Sequence, residues 1–125
     1  MQTILFIGLG GFVGAIIRFL LSSFVQKSAD TFFPIGTLSI NVLGGFLIGF
    51  LALYFEQHVN PEYRVLAITG FLGALTTFST FSYETVLLIE DAAYTKAMAN
   101  IMMSVVFSIG ATMLGMVVFK RFFLA

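Results

Sequence analysis

The sequence contains no cysteine and no tryptophan, and it has only two prolines and one histidine among 125 residues. Without cysteine the chain forms no disulfide and offers no thiolate ligand to a metal, so cysteine usage does not indicate a redox compartment. Charged residues make up 10% of the chain, and six basic residues balance six acidic ones. Soluble proteins carry roughly 25% charged residues. We therefore expect neither a nucleic-acid partner nor a polybasic lipid-binding patch.

Apolar residues make up 59% of the chain, and the mean hydropathy is +1.05. This composition predicts an all-α membrane protein with one domain over residues 1–125. A helix needs about 20 apolar residues to cross the hydrocarbon core, and four segments reach that length. They cover residues 3–25, 33–55, 64–89 and 96–119, with polar connections at 27–30, 56–62 and 90–95. Pro34 is placed at a helix start and Pro61 in a loop. The first span has no basic segment before it and no cleavage site, so we expect it to be retained.

Residues 70–84, GFLGALTTFSTFSYE, interrupt the third apolar segment with hydroxyl and aromatic side chains. Two glycines weaken a helix here, and three β-branched threonines lower helix propensity further, which predicts a break near residues 73–77. A break at membrane depth is tolerated only where protein buries the exposed backbone or a polar pathway contacts it. After the break, Phe78 and Phe81 share one helix face, and the hydroxyls of Ser79 and Thr80 lie beside them. The pattern indicates a polar route lined by ring edges and hydroxyls.

Two other spans carry polar or small residues at every fourth position, which places them on one face of each helix. In the second span, the amide of Asn41 either donates to an anion or cross-links two helices, and both interpretations stay open. In the first span, Gly10 and Gly14 allow close helix contact. The second-span series is Thr37, Asn41, Gly45 and Gly49, and the fourth-span series is Asn100, Ser104, Ser108 and Thr112.

Few ionisable residues lie within or beside the spans. Arg18 is interpreted either as a structural anchor or as part of a polar vestibule. Glu84 is either a proton or cation site or a residue near the end of its span, and it is a further vestibule candidate. His58 is placed on the surface of the second connection, because no metal-ligand spacing surrounds it. The sequence shows no nucleophile–base pair, no paired catalytic carboxylates and no phosphate loop, so we do not expect an enzyme.

Basic residues are balanced between the two sides of a four-span topology. The side with the termini holds Arg64, Lys120 and Arg121, and the other holds Lys27, Lys96 and the nearer Arg18. The positive-inside rule then gives almost no preferred orientation. Four short spans also provide little room to enclose a pathway. We therefore expect a chain that inserts both ways and forms an antiparallel homodimer, in which two-fold symmetry duplicates any site.

The strings GALTTFSTFSYE, GTLSINVLGG and GGFVGAIIRF together resemble the CrcB/Fluc family of fluoride channels over essentially the whole chain. The resemblance implies a dual-topology dimer in the cell inner (plasma) membrane, with two fluoride pores and a broken third helix. It implies that Phe78, Phe81 and Asn41 line the pore together with Ser104, Ser108 and Thr112. It also implies a central structural sodium ion held by the backbone carbonyls of Gly73 and Thr76.

The implied physiology is passive export, because hydrogen fluoride enters as a neutral acid and dissociates inside, and the trapped anion leaves through the channel. The runner-up is a small multidrug-resistance-type transporter with dual topology. That class needs an acidic residue in its first span, and this first span has none. A third interpretation, an accessory subunit of a larger complex, leaves the phenylalanine and hydroxyl pattern without a role.

Overall fold

Helices account for nearly the whole structure, a computed structural model that describes residues 1–124. Two long helices come first, α1 (Gln2–Ala29) and α2 (Ile35–His58). The third span, Pro61–Glu90, is composite. It contains α3 (Pro61–Arg64), a π-helix (Val65–Leu72), α4 (Gly73–Leu75) and, after an interruption, α5 (Phe78–Glu90). The last helix is α6 (Tyr94–Phe123). No strand occurs within residues 1–124.

Four of these helical segments are long and apolar enough to cross a membrane, which confirms the predicted number of spans. The helices extend beyond the predicted apolar segments, because charged and polar residues form their last turns. Two placements were wrong. Pro61 is the first residue of α3 rather than a loop residue, and His58 ends α2. Proline suits a first helical turn because its missing N–H has no partner there.

The break in the third span lies at Thr76 and Thr77, within the predicted region. Both residues have extended backbone, with φ/ψ of −83°/156° and −150°/119°. Thr77 also starts the next helix, since its side-chain oxygen accepts a 3.2 Å hydrogen bond from the Thr80 N–H. A threonine in this N-cap position supplies an acceptor for one of the helix's unpaired N–H groups. The second half of the span therefore begins at Phe78.

Helix α1 packs against the π-helix through glycines. A β carbon at Gly10 would overlap the Leu66 carbonyl oxygen, and one at Gly14 would overlap the Phe71 carbonyl oxygen. On the other side of the contact, a β carbon at Gly70 would lie 2.7 Å from the Ile7 oxygen. The close contact predicted for Gly10 and Gly14 is thus present, and it brings backbone against backbone. We call this contact the glycine seam.

Helices α2 and α6 form the most extensive pairing in the structure. Gly45 lies against the Ser108 carbonyl, Gly49 against the Thr112 carbonyl, and Gly115 against the Phe46 carbonyl. Beyond these small residues an aromatic cluster closes one end of the pair, with Phe119 fully buried. The cluster comprises Phe50, Tyr54, His58, Phe119 and Phe123.

The opposite end of the bundle is tied by one side chain. Gln26 donates to the carbonyls of Thr31 at 2.7 Å and Phe33 at 3.0 Å, and its side-chain oxygen accepts from the Gly36 N–H at 3.0 Å. The amide thus closes the α1–α2 connection and satisfies one N–H at the start of α2. The outward faces of α1 and α6 are apolar, as a lipid-contacting surface requires; Phe12, Phe19 and Met113 are among the exposed residues.

Candidate functional site

A cavity of about 350 Å³ lies between α2, the broken third span and α6. It is open on one side of the single chain, and its wall combines apolar side chains with hydroxyls, an amide and the backbone of the break. Seven residues singled out from the sequence lie on this wall: Asn41, Gly73, Thr76, Phe78, Phe81, Ser104 and Ser108. The fold therefore brings together residues that lie up to 67 positions apart in the chain.

Asn41 is bonded to the break by both ends of its amide. Its side-chain oxygen accepts from the Thr77 N–H at 2.8 Å, and its Nδ2 donates to the Thr77 carbonyl at 2.9 Å. Extended backbone at membrane depth has no helical partners, so these two bonds satisfy groups that would be costly to leave unpaired. These two hydrogen bonds are a cross-link between α2 and the break, which was one of the two interpretations of Asn41. The same Nδ2 carries a second N–H, and Asn41 lines the cavity, so the anion-donor role stays a prediction.

Gly73 and Thr76, at the start of α4 and just after its end, line the same cavity. Thr76 donates to the Leu72 carbonyl twice, from its N–H and from its hydroxyl, both at 3.1 Å. Neither the Gly73 nor the Thr76 carbonyl receives a hydrogen bond from residues 1–124. Two carbonyl oxygens near a helix C-terminus form a region of negative potential. Their donor chemistry therefore fits a hard cation, which prefers oxygen ligands.

The two predicted pore phenylalanines lie side by side on the first turn of α5. Their ring centroids are 5.4 Å apart, with an angle of 49° between the ring planes. Phe78 is 79% exposed in the single chain, whereas Phe81 is half-buried. The two rings are tilted rather than stacked, so neither ring covers the whole face or the whole edge of the other. The edge of an aromatic ring carries positive electrostatic potential.

A second cavity, of about 260 Å³, also borders Thr77. Thr77 therefore lines both cavities, and it is itself buried. Arg18, Thr37 and Thr80 line the second cavity. Both interpretations of Arg18, as a structural anchor and as part of a vestibule, stay predictions. The predicted Ser79 lies at neither wall, and its hydroxyl is 3.3 Å from that of Thr77.

Glu84 lies one helical turn beyond Thr80, and one of its oxygens accepts a 2.8 Å hydrogen bond from the Thr37 hydroxyl. The other carboxylate oxygen is buried and has no partner within residues 1–124. Glu84 also borders two cavities that extend toward Lys27 and Lys96. A carboxylate with one unpaired oxygen can accept a further donor from a molecule in those cavities.

The hydroxyls on α6 differ in their partners. Ser104 is buried and donates weakly, at 3.5 Å, to Asn100, whose amide donates to Thr85 of α5 at 2.9 Å. The Ser108 hydroxyl is buried without a partner in the part of the chain described. The Thr112 hydroxyl bonds back to the Ser108 carbonyl at 3.0 Å and lies outside the cavity wall.

Two roles at the site were not predicted from the sequence. Thr77 was predicted only as one of the threonines that weaken the helix, yet it caps α5 and bonds Asn41. Threonine is a common N-cap residue, which is the signal that could have indicated the first role. Thr85 joins α5 to Asn100, but an isolated threonine in an apolar helix gives no signal of its partner.

Comparison with known proteins gives consistent matches along the chain. The family model described as "CrcB-like protein, Camphor Resistance (CrcB)" matches residues 5–116. A Sulfurovum protein named "Fluoride-specific ion channel FluC" is 57% identical over 120 residues, which is 96% of this chain and 95% of the relative. Proteins of the same name from a Nitratiruptor species and from Shewanella sediminis are 52% identical over 117 residues and 48% over 123. Those matches cover 94% and 97% of this chain, and 91% and 99% of the two relatives.

Proposed function

Since this chain belongs to the CrcB family, we propose that it is a fluoride-specific ion channel through which fluoride leaves the cytoplasm passively. The observation that carries the proposal is the cavity where Asn41, Phe78 and Phe81 meet the serines of α6. The chain is a multi-pass membrane protein with four spans, which is consistent with a location in the inner membrane. Such a channel lowers internal fluoride because the anion, formed from hydrogen fluoride that crosses as a neutral acid, is otherwise trapped.

Different residues would assist different stages in the passage of a strongly hydrated anion. The Arg18 guanidinium in the vestibule attracts it, because charge at a low-dielectric mouth raises the local anion concentration. In the main cavity, hydrogen-bond donors replace the water that is lost, and the Asn41 amide and the α6 hydroxyls are such donors. The ring edges of Phe78 and Phe81 supply weaker positive potential where no donor is present. An open path of this kind needs no energy source.

The transporter alternative is not favoured. Its chemistry needs a carboxylate in the first span, and α1 contains none. The intramembrane carboxylate that the third span does contain, Glu84, is bonded to Thr37. The relatives are named as ion channels, which supports a function other than catalysis.

Fluoride efflux from liposomes tests the function. The purified protein is reconstituted in liposomes loaded with potassium fluoride or potassium chloride. A potassium ionophore is added so that potassium can leave with the anion, and release is followed with an electrode selective for the loaded anion. We expect rapid fluoride release and little release from matched chloride-loaded vesicles. Equal rates for both anions, or no release above empty liposomes, would reject a fluoride-specific channel.

We also propose that two copies assemble as an antiparallel dimer. The main cavity is open on one side, and its wall, although mostly apolar, includes Asn41 and the backbone of the break. A polar group that meets hydrocarbon is costly, so a second copy covering this side would keep these groups away from lipid. The balanced basic residues support insertion in both orientations.

Dual topology predicts that one loop is found on both sides of the membrane. Phe32, 95% exposed in the α1–α2 connection, is replaced by cysteine in this cysteine-free chain. We expect an impermeant thiol reagent to label about half of it in intact cells and the rest after permeabilisation. Gln57→Arg and Asp91→Arg, on opposite sides, should shift the labelled fraction in opposite directions. Labelling from one side alone rejects the proposal.

Sodium at the break is a further part of the proposed assembly. The Gly73 and Thr76 carbonyls of two copies would hold it, and a bound cation supplies positive charge that offsets the carbonyl dipoles. Exchange into a sodium-free buffer with N-methylglucamine as the cation should lower the thermal stability of the dimer, and restoring sodium should recover the loss. Replacement by N-methylglucamine without any change in melting temperature would contradict this site. Because the ligands are backbone atoms, Thr76→Ser should leave the sodium response intact.

A further inference from the structure

The π-helix between α3 and the break has a backbone pattern that an ordinary helix lacks. Its end is marked by the Gly73 N–H, which donates to the Ile68 carbonyl five residues back. A π-helix accommodates more residues per turn than an α-helix, so the segment holds a surplus residue. Each residue of an α-helix adds about 100° of rotation and 1.5 Å of rise. If the same eight residues formed an α-helix, the surplus residue would no longer be taken up within the segment. The break would then be rotated by about 100° about the helix axis relative to α3.

The glycine seam fits this wider backbone. The carbonyls that would overlap added β carbons on α1 are those of Leu66 and Phe71, near opposite ends of the π-helix. Gly70, next to Phe71, lies against Ile7 and Gly10. Helix α1 therefore contacts the π-helix near both of its ends, and residues larger than glycine at these positions would overlap the carbonyls.

A rotation of the π-helix about its axis would also rotate the break that follows it. Leu72, its last residue, is buried in the core and accepts both hydrogen bonds from Thr76. Only the single turn of α4 separates it from the break. Ile68, Leu72 and Gly73 all lie on the wall of the main cavity. The angle at which Gly73 and Thr76 meet that cavity thus follows from the state of the π-helix.

From these contacts we infer that the π-helix is a register adapter: it takes up one residue, and the glycine seam holds it, so that the break faces the ion cavity. Gly10, Gly14 and Gly70 are positioning residues for conduction and do not touch the ion. The inference rests on the proposed channel function for its effect on flux, but its effect on structure is measured separately.

A cysteine pair reports the register without relying on conduction. A β carbon at Gly44 lies 3.7 Å from the Thr76 Cβ, within the range of about 3.5–4.5 Å found in disulfides. The variant Gly44→Cys/Thr76→Cys is oxidised in native membranes with a mild copper catalyst, and the intrachain disulfide is detected by protection from a mass-tagged maleimide. It is combined with deletion of Ala67 or with one alanine inserted after Ala67.

The two changes of length have opposite expected results. Deleting Ala67 removes the surplus residue, so the segment becomes α-helical, the break stays in place, and cross-linking and fluoride efflux persist. Inserting alanine adds a second surplus residue, so Thr76 turns by about 100°. Cross-linking should then fall at least about tenfold, because its Cβ leaves the range for a disulfide. Efflux, measured without the cysteines, should be lost. An alanine inserted between Val59 and Asn60, in the loop, should change neither.

Substitutions in the seam test the same inference if a length variant does not accumulate. Gly10→Ala should reduce both cross-linking and efflux, whereas Gly8→Ala should not, since nothing lies within 4 Å of a β carbon at Gly8. Unchanged cross-linking in the alanine insertion or in Gly10→Ala, or loss of cross-linking on deletion of Ala67, overturns the register adapter. Cross-linking that follows the expected pattern in a protein that conducts no fluoride rejects the proposed function and leaves the adapter standing.

Discussion

We expect Asn41→Asp to abolish fluoride efflux while the protein still inserts in the membrane. The substitution keeps the acceptor for the Thr77 N–H but replaces the donor to the Thr77 carbonyl by an oxygen. Two oxygens then face each other at the break, and a negative charge enters the cavity that fluoride must cross. We expect at least a ~100-fold loss of flux, equivalent to about 2.8 kcal/mol at about 1.4 kcal/mol per tenfold.

Ser39→Ala is the matched control on the same helix. Its hydroxyl donates to the Ile35 carbonyl one turn back and does not line the main cavity, so flux should stay near the wild-type rate. Asn41→Ala separates the two roles of the amide. It removes the cross-link without adding charge, and we expect a smaller loss together with a lower melting temperature. Wild-type flux in Asn41→Asp would show that the amide neither donates to the ion nor needs to hold the break.

We expect Phe78→Ile and Phe81→Ile each to reduce fluoride efflux by at least about tenfold, because isoleucine replaces a ring edge of positive potential by apolar surface without a quadrupole. The two rings line the main cavity and contact each other at 5.4 Å between centroids. Volume is nearly kept, so the fold should persist. Efflux from liposomes and elution of the reconstituted protein on size exclusion are measured for both variants.

Phe12→Ile serves as the control for this pair. Phe12 is exposed on α1 and lines none of the cavities at the site, so the same chemical change there should leave efflux unaltered. Full flux in both ring variants would remove the phenylalanines from the pathway. An equal loss in Phe12→Ile would instead point to a general effect of phenylalanine on insertion.

Much of this architecture can be predicted from the sequence, because membrane spans depend on local composition. The number of spans follows from apolar length, and the break from the glycines and threonines of residues 70–84. Helix ends were less predictable. Pro61 and Glu62 were assigned to a connection, yet both belong to the first turn of α3. Charge in a sequence marks the edge of the hydrocarbon, and a helix can continue past that edge.

The partners at the site were not predictable in the same way. The sequence indicated that Asn41 was important, but its partner, Thr77, lies 36 positions later and is fixed only by packing. No sequence pattern predicted the π-helix, since its residues, VLAITGFL, would suit an ordinary apolar α-helix. Its register depends on contacts with α1, and such contacts over long separations are absent from any local pattern.

The pairing of α2 with α6 has a consequence for biosynthesis. Gly45 is made early, whereas the Ser108 backbone on which it packs emerges about 60 residues later, roughly 3–12 s at about 5–20 residues per second. During that interval the small-residue face of α2 is without its permanent neighbour in the nascent chain. A transcript truncated before α6 would leave that face permanently uncovered, and quality-control proteases of the membrane would recognise the product as unfinished.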